Sequence, residues 1–228
     1  MNHRKVVTGL FVGATLMVSA GVYSRSFHQQ RGAQPGVVKP EMSDTITATV
    51  YADNWFAMYI NSKLVAVDPI DFLPHNVVKV DILPEYPMTI AIVAKDNADP
   101  KTGYEYGNRV GDAGIVVKFS DGTVSNASWK VQRISSGPPV KTVPFPTGWE
   151  MPTFDDSKWE SATVYSTQRV NPKKPYYDYD FMGASFVWTT DLDTDNTILL
   201  RTKVEKPGWN KRWNTKPDLD ISGAQVKS

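Results

Sequence analysis

Short runs in which apolar and polar residues alternate recur along this chain, and this pattern restricts it to a β-rich fold. In residues 46–52 an apolar side chain stands at every second position, with threonine and tyrosine between, which is the period of a strand buried on one face. Residues 55–60 alternate in the same way, and the polar residues 61–63 separate them from the apolar residues 64–67. This arrangement predicts two strands joined by a tight hairpin turn.

Further apolar runs follow at a spacing of roughly ten residues, which is typical of β-sandwiches. Prolines, glycines and an Asp121-Gly122 turn signal separate them, and no segment beyond residue 24 has a sustained helical period. The sequence therefore predicts an all-β sandwich of about eight or nine strands. The later runs are 78–82, 88–94, 115–119, 124–131, 186–188 and 198–204, and the tryptophans predicted to lie in the core are Trp129, Trp149, Trp159 and Trp188.

The two ends of the chain differ in composition from its centre. Residues 1–24 contain a basic start, an apolar stretch and small residues at its end, the layout of a secretory signal peptide. An uncleaved membrane anchor is the alternative, although the stretch is shorter than the ~20 apolar residues that span a bilayer. We therefore expect a secreted, periplasmic or cell-surface protein without a membrane span in the mature chain. The predicted parts that follow are a flexible leader at 25–43, one β-sandwich domain at 44–206 and a polar carboxyl-terminal tail at 207–228.

Charge and cysteine content exclude several kinds of function. The 25 basic and 24 acidic residues leave a formal charge of +1, so no long-range field attracts nucleic acid or an anionic membrane. The chain has no cysteine, so it cannot form disulfides, thiolate nucleophiles or cysteine metal sites. Nucleic acid is therefore not expected among its partners.

Several short motifs occur together in an order that is known from one group of domains. They lie at 59–63 (YINSK), 125–130 (SNASWK), 148–162 (with GW and FDDSKW) and 186–201 (with FVW and LR). Through these motifs the chain resembles the galactose-binding-like jelly-roll domains, as found in sugar-binding domains of glycoside hydrolases and in amino-terminal modules of bacterial rhamnosidases. The chain departs from them at Ser62, where the hairpin usually has glycine, and in the late position of the 186–201 motif.

This resemblance implies a function and a cofactor. Such domains commonly bind carbohydrate through loops at one end, and many carry a structural calcium ion. The resemblance therefore implies an exported, non-catalytic module that recognises a glycan or a glycosylated surface. The alternative is a structural or protein-interaction subunit of an exported or cell-surface assembly, holding other exported proteins through a sheet edge or the tail at 207–228.

The candidate ligand site combines a polar corner with a long loop. Residues 53–55 lie between two predicted strands, and residues 96–112 form a loop without apolar periodicity, of a length that is often functional. Aromatic rings stack on sugars, and carboxylates and amides hydrogen-bond to hydroxyls, although a purely structural role is an equal alternative. The candidate ligand-binding residues are Asp53, Asn54, Trp55, Asn97, Tyr104, Tyr106 and Asn108.

The same loop offers hard oxygen ligands of the kind that calcium prefers. Asp96 and Asp99, with neighbouring backbone carbonyls, are candidate metal ligands. Their spacing lacks the pattern of a known calcium loop, and a solvated turn is the alternative.

Enzyme activity is not expected from the residues available. His75 is the one histidine beyond the predicted leader, and we interpret it as a loop residue without partners. Asp155 and Asp156 are adjacent, so they are predicted to serve a turn rather than to face one cleft. A glycosidase that uses paired carboxylates is therefore disfavoured, though not excluded.

Overall fold

The computed structural model of this protein describes residues 36–70 and 75–215. The predicted signal peptide, most of the predicted leader and the end of the predicted tail lie outside the described residues. Within the described residues, no helix is both long and apolar enough to cross a membrane.

Two antiparallel sheets make up the fold, so the predicted all-β sandwich is confirmed. A short helix, α1 (Thr167–Val170), and two 3₁₀ turns (Met42–Asp44 and Tyr176–Asp178) accompany the strands in the described part. The strands are β1 (Ile46–Asp53), β2 (Trp55–Ile60), β3 (Lys63–Val67), β4 (Asn76–Ile82), β5 (Met88–Lys95), β6 (Gly114–Phe119), β7 (Lys130–Ser136), β8 (Lys141–Thr142), β9 (Glu160–Ser161), β10 (Thr163–Tyr165), β11 (Phe186–Trp188) and β12 (Asp195–Val204).

Strand order is different in the two sheets. The five-stranded sheet has the order β10-β11-β6-β1-β4, and the seven-stranded sheet has the order β3-β2-β5-β12-β7-β8, with β9 also paired to β7. The described residues contain more strands than predicted because β8, β9 and β10 have only two or three residues each, too few to show an alternation. The run predicted at 124–131 corresponds to a strand that begins only at Lys130.

The β2–β3 hairpin has the tight turn that the sequence predicts. Asn61 and Ser62 both adopt positive φ angles, of 47° and 67°, which match the twist of two-residue hairpin turns. The Asn61 side chain accepts a hydrogen bond from the Thr89 amide at 2.8 Å and donates one to the Glu85 carbonyl at 2.9 Å. Ser62 therefore occupies the left-handed position that usually belongs to glycine, in a turn that is held from the side by Asn61.

The main core lies between the two sheets. Val50 of β1 and Phe56 and Met58 of β2 face inward and are fully buried. Trp129 and Trp188 belong to the same core, with 1% and 0% of their surface exposed. Since burial of one large apolar side chain contributes about 1.5–3 kcal/mol, this layer supplies most of the force that holds the sheets together.

A second apolar cluster covers the outer face of the seven-stranded sheet. The alternation that points Phe56 inward points Ala57 and Tyr59 outward, and Trp149 and Trp159 from the segment 148–159 pack against this outer face. All four tryptophans that the sequence assigns to the core are thus buried, but in two clusters on opposite faces of one sheet.

One end of the sandwich, which we call the loop end, carries the long loop. Here β1 finishes beside the beginning of β6, because Asp53 pairs with Gly114. The Asn54 amide donates to the Lys95 carbonyl at 2.8 Å, so the end of β5 lies at the same place. Side chains that follow β1 and β5 are therefore brought together here, although they come from different sheets.

The opposite end, which we call the terminal end, carries both ends of the described chain. Val204, the last residue of β12, pairs with Met88 at the start of β5. The tail then turns back onto the residues before β1, where Arg212 Nε donates to Asp44 Oδ1 at 2.8 Å and Trp213 is buried. Within 207–215 the predicted polar tail is therefore packed against its own chain.

Candidate ligand site at the loop end

The corner after β1 and the long loop after β5 are joined by a direct hydrogen bond. The Asn97 amide donates to Asn54 Oδ1 at 2.7 Å, and both Asp53 and Asn54 are buried, with 1% and 4% of their surface exposed. The amide of Asp96 donates to the Asn196 carbonyl of β12 at 2.9 Å. The loop therefore begins over the polar corner and is anchored to the seven-stranded sheet.

Glycines fix the path of this loop at two close approaches. Gly103 has a φ of +77°, and a Cβ added there would lie 2.7 Å from the backbone of Gly137, so only glycine fits this contact. At the other end of the loop, the Gly111 amide donates to the Asp193 carbonyl at 3.0 Å. A Cβ added at Gly111 would lie 1.6 Å from Asp96 Oδ2, which shows that the Asp96 carboxylate lies directly on this glycine.

Four carboxylates and one histidine form a group at the loop end that we call the acidic cluster: Asp53, His75, Asp96, Glu105 and Asp112. Asp53 and Asp96 are buried, with 1% and 5% of their surface exposed, whereas Glu105 and Asp112 are partly exposed. The clustering is electrostatic as well as spatial, because the negative charge of Asp53 raises the pKa of Asp96, Glu105 and Asp112 alike.

Burial and mutual repulsion favour the protonated forms of Asp96 and Glu105 near neutral pH. Burial, and then the charge of Glu105, raises the pKa of Asp96 to about 8, because a charge in a low-dielectric site is costly. Burial, and then the charge of Asp112, raises the pKa of Glu105 to about 7. The pKa of Asp112 is raised by burial and by the charge of Asp53. The cluster therefore exchanges protons in the physiological range.

His75 is a member of the cluster and not a loop residue without partners, so that prediction is wrong. Its Nδ1 lies 3.2 Å from Asp53 Oδ1, and its ring stacks on Tyr51 with 6.0 Å between centroids. The hydrogen bond with Asp53 raises the pKa of His75. The physical reason is strand pairing: Ala52 of β1 faces Asn76 of β4, so the residues next to them, Asp53 and His75, also face each other.

Polar atoms in this region lack hydrogen-bond partners among the described residues. They include Asn54 Nδ2 and Asp96 Oδ2, both on buried side chains. A buried polar group without a partner costs free energy, so such atoms in a folded protein call for an explanation. Both atoms are enclosed by the protein, and Asp96 Oδ2 packs on Gly111, so they are unsatisfied groups of the interior.

Two basic residues approach the cluster from the segment that contains α1. The positive charges of Lys173 and Arg169 lower the pKa of Asp112, and the Lys173 amide donates to the Tyr51 hydroxyl at 3.0 Å. Arg169 is already engaged elsewhere, because its Nη2 lies 2.5 Å from Asp193 Oδ1. The basic side chains therefore balance only part of the negative charge.

The predicted aromatic residues occupy different places. Tyr106 lies at the cluster with 52% of its surface exposed, and its hydroxyl interacts with Glu105 and Asn97. Trp55 points to the outer face of the seven-stranded sheet, where its Nε1 donates to the Asp68 carbonyl at 3.0 Å. The structure therefore brings Tyr106 to the acidic cluster and places Trp55 away from it.

The other predicted loop residues lie further along the same loop. Tyr104 is partly buried, and its carbonyl accepts a hydrogen bond from the Asp99 amide at 2.8 Å. Asn108 is exposed, and its amide donates to the Tyr106 carbonyl at 2.7 Å in a tight turn. The described side-chain hydrogen bonds do not connect Tyr104 or Asn108 to the acidic cluster.

Of the two candidate calcium ligands, Asp99 is engaged in a local turn. Oδ1 of Asp99 accepts from the amides of Lys101 and Thr102 at 2.9 and 2.8 Å, as in an Asx-type turn. In the described residues, no group of three or more histidine, cysteine, aspartate or glutamate side chains is arranged to hold a metal ion. Calcium binding by Asp96 and Asp99 with backbone carbonyls therefore stays a prediction.

The cluster members that sequence reasoning missed are His75, Glu105 and Asp112. The pairing of β1 with β4 brings His75 to Asp53, and the start of β6 opposite Asp53 brings in Asp112, two residues before Gly114. Both signals depend on strand register, which the alternation alone does not reveal.

No protein family, curated protein or solved structure matches this chain.

Replacing Gly111 by alanine should destabilise the protein by about 1–3 kcal/mol, because the added Cβ would lie 1.6 Å from Asp96 Oδ2. Urea unfolding at pH 7 measures this change. In an Asp96→Ala background the obstructing carboxylate is absent, so the same substitution should cost at least about 1 kcal/mol less. Equal costs in the two backgrounds would contradict the close approach of Asp96 to Gly111.

Proposed function

We propose that this protein is an exported, non-catalytic, galactose-binding-like module that binds carbohydrate at its loop end. The observation that carries this proposal is the hydrogen bond of 2.7 Å from the Asn97 amide to Asn54 Oδ1. Through this bond the long loop lies over the polar corner, so residues from both segments face one place.

The chemistry of this place suits a ligand that is rich in hydroxyl groups. Glu105 and Asp112 are the partly exposed carboxyl groups of the acidic cluster, and their oxygens accept hydrogen bonds from hydroxyl groups. Tyr106 adds an exposed ring beside them, on which the apolar face of a sugar stacks. A few convergent polar groups beside an aromatic surface are typical of small-ligand sites.

The two ends of the described chain lie at the opposite end of the sandwich from the acidic cluster. This position supports a module that is attached through its terminal end and binds its ligand at the loop end. Arg212 and Asp44 join the two ends of the described chain at the terminal end, whereas the acidic cluster lies at the loop end. Strands of six to eight residues in β1 and β2 separate the two ends by about 20–25 Å. A module held through its amino-terminal segment would therefore present the cluster outward.

A protein-interaction role remains the second candidate. An interaction through the tail at 207–228 has less support than one through a sheet edge. Trp209 and Trp213 contact each other, with 6.2 Å between ring centroids, and Trp209 also contacts Tyr86 at 5.2 Å. Because these rings pack within the chain, residues 207–215 offer few side chains to a partner. An interaction through a sheet edge would use one of the edge strands β10, β4, β3 or β8.

Glycoside hydrolysis is a further candidate, and one observation favours it. The pKa of Glu105 is raised to about 7, by burial and then by the charge of Asp112, which is the property of a general acid. Mass spectrometry of the bound oligosaccharide in the experiment below distinguishes a binder from a glycosidase, because a non-catalytic module leaves the oligosaccharide intact.

Screening of the exported protein on a glycan array, followed by calorimetric titration, should reveal binding to at least one glycan. Tyr106→Ala should then weaken binding about threefold to tenfold through loss of ring stacking. Tyr179→Ala is the matched control, because Tyr179 is also exposed and lies directly after the 3₁₀ turn Tyr176–Asp178, outside the long loop; it should leave the affinity unchanged. Absence of binding to every glycan, with and without calcium, would contradict the proposal.

A further inference from the structure

The strand β4, at one edge of the five-stranded sheet, differs from the other edge strands of the described fold. β10 has three residues and β8 has two, and a register shift interrupts the pairing of β3 with β2. β4 has seven residues and pairs with β1 in an unbroken register from Asn76 to Ile82. Short or irregular edge strands resist pairing with another chain, whereas a long and regular one favours it. Among the described edge strands, β4 is therefore the one best suited to accept a further strand.

The pairing of β1 fixes which backbone groups of β4 point away from the sheet. The amide and carbonyl of Thr47 in β1 both point toward β6, because they bond to the hydroxyl and the amide of Ser120, each at 2.9 Å. Alternate residues of a strand direct their backbone groups to opposite sides, so the residues next to Thr47 bond to β4. Their partners are Asn76, Val78, Val80 and Ile82. The N–H and C=O groups of Val77, Lys79 and Asp81 therefore lie on the free edge, where no described residue hydrogen-bonds to them.

The side chains of β4 place apolar groups and both signs of charge along this edge. Val78 and Val80 pack against the main core but are only partly buried, as expected at the open side of a sandwich. Lys79 and Asp81 are exposed on the outer face, where Asp81 Oδ1 accepts from Thr47 Oγ1 at 2.5 Å. A further strand would cover the two valines and bring new charges opposite the lysine and the aspartate.

Charge selects one register for two antiparallel copies of β4. A pairing centred on Lys79 would place two lysines opposite each other, and one centred on Asp81 would place two aspartates opposite each other. Like charges in such pairs are destabilising, whereas opposite charges stabilise the pair. Only a pairing centred on Val80 places Lys79 of each copy opposite Asp81 of the other. Because the backbone groups of Lys79 and Asp81 face the free edge, these residues then also exchange both backbone hydrogen bonds of a pair.

We infer that β4 pairs antiparallel with β4 of a second copy of this chain, about a two-fold axis at Val80. The interface is isologous, because the same edge serves both copies, and it joins the two five-stranded sheets into one continuous sheet. Val78 of each copy then lies opposite Ile82 of the other. The inference goes beyond carbohydrate binding and does not depend on it, because the paired residues of β4 belong to no part of the acidic cluster.

Sedimentation velocity of the exported protein over the micromolar to submillimolar range should show an equilibrium between monomer and dimer. Lys79→Glu and Asp81→Lys should each weaken the dimer about tenfold or more, because each places like charges opposite each other in both symmetric pairs. An equimolar mixture of the two variants should dimerise again, since their edges carry opposite charges. Lys141→Glu is the matched control, because Lys141 is also exposed on an edge strand, β8 of the other sheet; it should leave the dimer unchanged.

A single introduced cysteine gives a second readout, which reports the register. The chain contains no cysteine, so Val80→Cys adds one thiol, which would face its symmetry mate at the two-fold axis. Residues opposite each other in a non-hydrogen-bonded pair have Cα atoms about 4.5 Å apart, within the range that a disulfide spans. Val78→Cys is the matched control, because a thiol there would lie about 14 Å along the strand from its symmetry mate. On non-reducing electrophoresis after mild oxidation, Val80→Cys should form a covalent dimer and Val78→Cys should not.

Several outcomes would overturn the inference. A protein that stays monomeric throughout the concentration range does so, whether a segment of its own chain or another exported protein then occupies the edge. A dimer that Lys79→Glu does not weaken, or a mixture of the two charge variants that stays monomeric, shows that β4 is not the interface. Disulfide formation by Val78→Cys as readily as by Val80→Cys contradicts a two-fold axis at Val80.

Discussion

Asp96→Asn should make the protein more stable by on the order of 5 kcal/mol at pH 9 and by only about 1–2 kcal/mol at pH 5. Burial, and then the charge of Glu105, raises the pKa of Asp96 from its ordinary value of 3.8 to about 8 in the folded protein. Between pH 4 and pH 8 the folded state therefore binds the proton more tightly than the unfolded state. The free energy of unfolding of the original protein should fall as the pH rises through this window.

Asparagine keeps the shape of the side chain, and its oxygen can still accept from the Asn97 amide, as Oδ1 of Asp96 does at 2.7 Å. Asparagine carries no charge, so the free energy of unfolding should change less with pH between pH 5 and pH 8. Urea unfolding at pH 5, 7 and 9 measures both effects, with an unchanged m-value indicating that the same surface is exposed.

Asp99→Asn is the matched control for this experiment. Asp99 is exposed, and hydrogen bonds from the Thr102 and Lys101 amides lower its pKa, so the stability that its charge provides is lost only as the pH falls below about 4. Between pH 5 and pH 9 the free energy of unfolding of this variant should therefore depend on pH as it does in the original protein. If Asp96→Asn also kept this dependence on pH, burial of an ionisable carboxyl group at position 96 would be contradicted.

The alternation of apolar and polar residues predicts the sandwich. In strands longer than four residues, the buried and the exposed face appear as alternate positions in the sequence. In β2, Phe56 and Met58 face the core between the sheets, as every second residue should. The same parity assigns Trp55 to the opposite face with Ala57 and Tyr59. The outward position of Trp55 therefore follows from its place in this alternation, whereas its polar neighbours Asp53 and Asn54 suggest a ligand-binding corner.

The candidate site could be predicted only in part, because its members come together through tertiary pairing. Asp53 and Asn54 follow a clear strand, so their position at a corner was evident from the sequence. His75 reaches Asp53 through the pairing of β1 with β4, and Glu105 belongs to a loop whose path depends on the contact of Gly103 with Gly137. Neither contact has a local sequence signal, which is why the histidine was interpreted as isolated.

The same limit applies to Asp156, which is predicted to serve a turn and which also forms an ion pair. Asp155 Oδ1 accepts from the Ser157 amide at 3.0 Å, as expected for a turn residue. Asp156 Oδ2, in contrast, accepts from Arg201 Nε at 2.8 Å. The adjacent carboxylates therefore face different partners, and the second one joins the segment 148–159 to the centre of the seven-stranded sheet.

Arg201→Ala should destabilise the protein by about 3–5 kcal/mol, the usual cost of breaking a buried ion pair. Arg201 lies on β12 with 3% of its surface exposed. Besides Asp156, its guanidinium contacts the carbonyl of Met151 at 3.2 Å and the carbonyl of Trp149. The substitution leaves one carboxylate and two carbonyls without their donor, so the cost exceeds that of the lost side-chain packing.

The Arg201→Ala protein should also lose part of its near-ultraviolet circular dichroism, because the segment 148–159 carries Trp149 and Trp159 of the outer cluster. Arg133→Ala on the neighbouring strand β7 is the control: its side chain is 59% exposed and lies 3.7 Å from Oδ1 of the buried Asp195, so its loss should cost about 1–2 kcal/mol, less than the loss of Arg201. Arg201→Lys should recover little of the stability, since one ammonium cannot reproduce a planar guanidinium that reaches three acceptors. Equal effects of Arg201→Ala and Arg133→Ala would show that the outer cluster holds the segment 148–159 by apolar packing alone.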